Sequence, residues 1–413
     1  MLRGAKLGPA ATLTATRLAA TAVQAGTLVL IARVAGPVEF ATFAALFGAL
    51  QVLQAVIDGG ATGYTLANHW RGEAVTQAFR ISSLFGLAVS TLVVLAISFV
   101  AFQDNSAVLW ALAPLGIWLA IERACETRAT LLIARGRFRP VAASLLLRRA
   151  GVGCTMLISI SVPQLWAWLF SLSSIAFGAA SFLVIASSIP FQKVALSGVV
   201  RDRARAMRPF WSASVSQQIR QLDVTILAFI NPAAAISFAP ASRLGTPLRL
   251  LPVAYSQILL STMARDRRGV RRNELASCLV FAVCVYAPLA ATAWIWVPFL
   301  LGSDYESSSA PIAIFILGLI PFSVASVLNS STQATGRAAY AAMSGWAGGI
   351  STLAFVFTLG VNFGATGAAI ANCLGAVVQG LILAIREKRR QISGENDDIG
   401  SQGRDTESEV DHL

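Results

Sequence analysis

The sequence predicts an all-α polytopic membrane protein, with about twelve transmembrane helices in two six-helix lobes around a central cavity. Three observations carry this reading. First, 56% of the 413 residues are hydrophobic and only 13% are charged, about half the charged share of an ordinary soluble domain, and the mean hydropathy is +0.67. Second, the apolar residues come in runs of roughly 20 or more, the length that crosses a hydrocarbon core of about 30 Å. Third, Lys and Arg are concentrated on alternate connections between those runs.

Taken in order, the runs cover approximately 11–34, 37–58, 79–102, 107–127, 138–161, 163–188, 207–231, 236–263, 274–301, 307–333, 338–361 and 364–385. Arg3 and Lys6 precede the first run, as in a leader peptide. Arg17 interrupts the run, however, and its apolar character continues to Val34, so a first span that also directs insertion is expected. One set of connections is the N-terminus, 59–80, 128–139, 190–208, 264–275, 334–338 and the C-terminal tail. This set contains 24 of the 32 Lys and Arg residues. The opposite set consists of short links such as Gln103 to Ser106, Asn231 to Ala235 and Gly302 to Ser309, which contain no Lys or Arg and carry Asp104, Asp304 and Glu306. Basic loops are retained in the cytoplasm, so both termini are expected there. Trp110, Trp166, Trp168, Trp294 and Trp296 fall near the outer ends of the runs, and Trp70 and Trp211 near the inner ends, as interfacial anchoring requires. Reporter fusions after Ser106, Pro163, Asn231, Asp304 and Phe363 should read as external, and those after Arg71, Arg137, Arg203, Arg268 and Arg337 as cytoplasmic. Two reversed reporters would break the twelve-span topology.

The basic linker 190–206 bisects the chain into lobes at 1–189 and 207–386, followed by an acidic cytoplasmic tail, 387–413, expected to be disordered. From Gln391 the tail holds seven acids against the single base Arg404. Internal similarity supports a duplication. Ala134-Arg135-Gly136-Arg137 pairs with Ala334-Thr335-Gly336-Arg337, and Ala142 and Ser144 pair with Ala342 and Ser344 in the same register. A second match sets Pro37, Thr42, Phe43 and Ala44 against Pro232, Ser237, Phe238 and Ala239. Two parallel repeats flanking a cavity are a transporter design in which one lobe rocks against the other. The net charge of +12 lies in short loops rather than on a groove, so no nucleic-acid partner is expected. The five cysteines lie inside apolar runs without metal-like spacing, and His69 and His412 are isolated. No metal, cofactor or catalytic constellation is therefore expected.

Several segments resemble the polysaccharide-transporter branch of the multidrug/oligosaccharidyl-lipid/polysaccharide (MOP) exporter superfamily, the Wzx-type O-antigen flippases. They are Ile31-Ala32-Arg33-Val34-Ala35-Gly36-Pro37 with Phe40-Ala41-Thr42-Phe43 and Asp58-Gly59-Gly60; Asp223-Val224-Thr225-Ile226-Leu227; Leu301-Gly302-Ser303-Asp304-Tyr305 with Ala334-Thr335-Gly336-Arg337; and Gly364 to Ala371. The resemblance spans about residues 15 to 385. It implies translocation of a polyprenyl-pyrophosphate-linked oligosaccharide across the bacterial inner membrane by alternating access, for O-antigen, capsule or exopolysaccharide synthesis. It further implies membrane lipids, a glycan polymerase and other assembly proteins as partners.

Ionisable side chains at membrane depth are costly and mark function by default. The eight Lys and Arg positions outside the basic loops are all arginine. Arg17, Arg148, Arg149, Arg220, Arg243 and Arg249 are the candidates for a cationic substrate site, because a guanidinium offers phosphate oxygens paired donors. Arg220 is 13 residues into the seventh run, about 20 Å at 1.5 Å per residue. Asp58 and Asp223 are candidate ion-coupling acids, Asp223 also being placed to neutralise Arg220 three residues earlier on one helix face. A cation-coupled drug or metabolite exporter would favour an acidic, aromatic cavity over these arginines. A glycan polymerase or ligase would need a sizeable external loop or an acid–base cluster, and neither is present in the sequence.

Overall fold

The computed structural model describes residues 7–67, 72–188, 200–265, 269–335 and 337–392. The linker residues 190–199 and the tail beyond Ile392 lie outside them. All regular structure among the described residues is helical. Eight segments are long and apolar enough to cross a membrane, and two of these are hairpins rather than single rods. Leu7–Asp58 breaks at Gly36, where φ is +73°, and Ala338–Ile392 breaks at Gly364, where φ is +59°. Both values lie in the left-handed region that glycine adopts without the Cβ clash, and Pro37 cannot donate to the helix preceding it. The reversal at Gly364 brings the Tyr340 hydroxyl to the Ile382 carbonyl at 3.2 Å. Each hairpin therefore supplies two spans.

Spans three to six are Gly72–Gln103, Ala107–Ala134 with a break before Leu115, Phe138–Leu157 and Trp166–Ala186. Spans nine and ten are Arg272–Leu301 with a break at Thr292 and Ser309–Ala334. Spans seven and eight complete the twelve helices, although neither is apolar enough to be recognised by hydropathy alone. Span seven is assembled from Val200–Gln218, a 3-10 turn Ile219–Leu222 and Asp223–Ile230, and span eight from Pro232–Leu248 and Leu250–Arg265. Arginines, glutamines and the prolines Pro240, Pro247 and Pro252 interrupt them. Large apolar side chains such as Phe99, Phe229 and Phe299 project outward, the last two 86% and 78% exposed. This is the reverse of a soluble surface.

Three expected boundaries shift. The alanines of the expected link Asn231–Ala235 are helical, because Asn231 caps the next helix by accepting the Ala234 N–H at 3.1 Å. The turn shrinks to Asn231 itself. Span seven opens at Val200, inside the segment expected as linker, and the last helix runs to Ile392, past the expected start of the tail.

The two halves meet along the first hairpin. The Tyr305 hydroxyl donates to the Ala32 carbonyl at 2.7 Å, Thr225 to that of Ala45 at 2.7 Å, and the Trp211 indole to that of Val56 at 3.1 Å. Phe40, Phe43 and Leu50 from one half share a buried core with Val224, Phe238 and Phe315 from the other. The seam is thus closed from one end of span two to the other.

Candidate functional site

Among the described residues the buried charges other than Arg128 form two separate clusters, and their balance differs. In the first half, Asp58 ends the second span and accepts from the Thr62 hydroxyl at 2.8 Å and its N–H at 3.2 Å. Arg123 closes on Asp58 at 2.7 Å and also donates to Thr62. On the same span, Glu122 and Glu126 hold Arg148 at 2.9 and 2.8 Å, while Arg149 reaches Glu122 at 3.1 Å. Three arginines meet three acids, so this cluster is neutral. The space in front of Arg149, bounded by Gln24, Thr27 and Trp118, is about 30 Å³, too small for a sugar.

The second cluster is not neutral. Arg220, Arg243 and Arg249 lie in the middle of spans seven and eight with one acid, Asp223, which faces Arg243. The expected Arg220–Asp223 pair does not form, although a 3-10 turn at Ile219–Leu222 keeps residues three apart on one face. Arg220 instead donates to Gln379 Oε1 at 2.6 Å. Asp223 faces Arg243, whose Nη2 lies 4.0 Å from its Oδ1. Its carboxylate is filled by the Ser242 hydroxyl at 3.0 Å from both oxygens, its own helix's Val224 N–H at 2.7 Å and Asn372 Nδ2 at 3.3 Å. Arg243 is 1% exposed and donates to Gln221 Oε1 at 2.8 Å and to the Gln221 carbonyl at 3.1 Å. Arg249 donates to Asn372 Oδ1 at 3.1 Å and lies over Phe315 and Phe322, 4.9 and 5.5 Å from their ring centroids.

Each guanidinium is therefore held by a neutral amide oxygen, and two positive charges stay uncompensated. Such an arrangement is expensive in an apolar interior. Arg243 Nε and Arg249 Nε are buried without an acceptor. The cluster reaches the seam at Gly48: a Cβ there would collide with the Arg243 guanidinium and the Gln221 carbonyl oxygen. A charged group thus lies directly against the other half.

Two six-helix halves closed on a long seam, with an unbalanced cationic cluster beside it, have counterparts among solved structures. The molecule matches the lipid II flippase MurJ in an inward closed conformation with a TM-score of 0.73 at 17% identity, over 91% of this chain and 87% of that one. This is the MOP transporter fold. An inward-facing multidrug-resistance MATE transporter of the MOP superfamily matches with a TM-score of 0.68 at 13% identity, over 90% of this chain and 95% of that one. A MOP transporter from Pyrococcus furiosus, described as having a binding pocket of reverse polarity, matches with a TM-score of 0.58 at 12% identity, over 93% and 96%. No protein-family model and no curated protein sequence matches the chain.

On this MOP scaffold the structure separates the six candidate arginines. Arg220, Arg243 and Arg249 are brought together. Arg148 and Arg149 belong to the neutral cluster and share Glu122, and Arg17 is exposed on the first helix, away from both. Asp58 is bound to Arg123 rather than standing alone. Sequence reasoning missed the amides Gln221, Asn372 and Gln379. The last two were visible as the polar residues seven apart, two helical turns, in an otherwise apolar span.

Proposed function

We propose that the chain is a flippase that moves a polyprenyl-pyrophosphate-linked oligosaccharide across the bacterial inner membrane by alternating access of its two lobes, 1–189 and 207–386. On this reading both termini are cytoplasmic, the product feeds O-antigen, capsule or exopolysaccharide assembly through a glycan polymerase, and no enzymatic step occurs on the chain. The observation that carries the reading is the net positive cluster. Three guanidiniums capped by amides leave two charges for a doubly anionic headgroup to neutralise, and planar forks suit pyrophosphate oxygens. Arg243, at the seam, would meet the headgroup first as the lobes part, with Arg220 and Arg249 behind it.

The fold alone suits a cation-coupled drug or metabolite exporter equally well, and charge separates the two. A cationic cargo or coupling ion needs an acid with free lone pairs. Asp58, Glu122 and Glu126 are each committed to an arginine, and Asp223 is filled by hydroxyl, amide and backbone donors. Proteoliposomes provide the test. The purified chain is expected to move a fluorescent polyprenyl-diphosphate oligosaccharide between leaflets and to leave a cationic dye gradient unchanged. Dye efflux with no lipid translocation would establish the exporter reading in its place.

A further inference from the structure

Each half carries a groove on its outer, lipid-facing wall, at the end of the bundle where the basic connections lie. In the first half spans three, four and six enclose about 660 Å³. In the second, spans nine, ten and twelve enclose about 600 Å³. The same three spans, six positions on, build both, and neither groove is lined by the cationic cluster. Their walls are apolar: Leu84, Leu87 and Ile121 in one, Leu279, Ile320 and Val324 in the other.

The mouths differ. In the first groove Arg123 is bound to Asp58 and Arg128 lies over Phe182, 4.0 Å from its centroid. In the second, Arg271, Arg272 and Lys388 line the mouth and are all solvent-facing. Two acids accompany them. Glu387 lines the mouth, while the Glu274 carboxylate accepts the Arg271 backbone N–H at 2.9 Å as a helix cap. From Arg272 to Leu279 the groove descends seven residues, about 10 Å at 1.5 Å per residue, within the roughly 15 Å depth of one hydrocarbon leaflet.

We propose that the groove between spans nine, ten and twelve is a binding site for one anionic phospholipid. Its phosphate lies on Arg271, Arg272 and Lys388, and an acyl chain lies along Leu279, Ile320 and Val377. Charge selects the occupant: basic groups gathered between transmembrane helices at a membrane surface attract acidic headgroups, and the depth takes a lipid chain. The first groove, with its arginines engaged inside the protein, accepts acyl chains without choosing headgroups and serves as an internal control. This inference needs only that the chain be embedded in a bilayer, so it stands or falls independently of the transported substrate.

The test is native mass spectrometry of the purified full-length chain, supplied with equal amounts of phosphatidylglycerol and phosphatidylcholine of matched chains. The wild type is expected to retain one phosphatidylglycerol in preference. Arg271→Gln and Arg272→Gln should each weaken that retention about fivefold, the equivalent of about 1 kcal/mol per basic residue. Gly380→Leu, whose new side chain projects into the groove with only Ala325 near its Cβ, at 3.8 Å, should displace the lipid outright. Arg128→Gln should leave the preference intact. A measurement on the wild type guards against variants that fail to accumulate: raising salt from 0.1 to 1 M shrinks the Debye length from about 10 to about 3 Å and should erase the preference. Equal retention of the two lipids, a preference indifferent to salt, or unchanged selectivity in the Arg271→Gln, Arg272→Gln double variant would each overturn the proposal.

Discussion

Replacing Arg220 or Arg249 by alanine is expected to cut translocation of a lipid-linked oligosaccharide by about tenfold to a hundredfold, the range set by losing a hydrogen bond to a charged group, about 1.5–3 kcal/mol. Membrane levels should be maintained. Removing either arginine lowers the cluster's net charge, and the amide left behind, Gln379 or Asn372, is neutral. Folding therefore loses no ion pair. Lysine at either position keeps the charge but loses the planar fork, so partial recovery is expected. Arg249→Lys should recover less than Arg220→Lys, because the Arg249 guanidinium also lies over Phe315 and Phe322 and a compact ammonium stacks less well there. The proteoliposome assay reads this directly. Full transport in both alanine variants would remove the cationic site from the mechanism.

How far the sequence alone reached depends on the length scale of each physical signal. Spans one to six and nine to twelve are written in runs of apolar residues, and the two tight turns in Gly36-Pro37 and Gly364. These are local signals, and the helices formed where expected. Spans seven and eight were legible as the runs 207–231 and 236–263 as well, although their arginines and prolines dilute the hydropathy. The acids and bases of the site were equally visible as residues but not as pairs. An i, i+3 rule assigns Asp223 to Arg220. Arg220 leaves that acid although a 3-10 turn at Ile219–Leu222 keeps residues three apart on one face. Its partner choice is settled by Gln379, 159 positions away in the chain. The same holds for Arg148 and Arg149, whose acids lie on a neighbouring span. Composition showed that charges were buried, but only packing shows which of them are balanced.

The second large effect concerns Asp223. Its removal, as Asp223→Ala, is expected to destabilise the protein by about 3–5 kcal/mol, the cost of breaking a buried pair from one side. The carboxylate is the cluster's one negative charge among the described residues. Without it three guanidiniums repel one another with no counter-charge, the Ser242 hydroxyl loses its acceptor, and the Asn372 amide keeps only the Ala368 carbonyl. If the pairing at 4.0 Å with Arg243 is what holds the cluster together, Asp223→Ala combined with Arg243→Met should recover much of the loss, since an apolar side chain of similar length then fills the site and two charges leave together. Asp223→Ala combined with Arg220→Ala should recover less, because Arg220 is anchored on Gln379 and not on the acid. Thermal unfolding in detergent of the wild type, the three single variants and the two double variants, treated as two double-mutant cycles, measures the difference. Coupling that is larger for Arg220 than for Arg243 would return Asp223 to the partner its position in the sequence suggests.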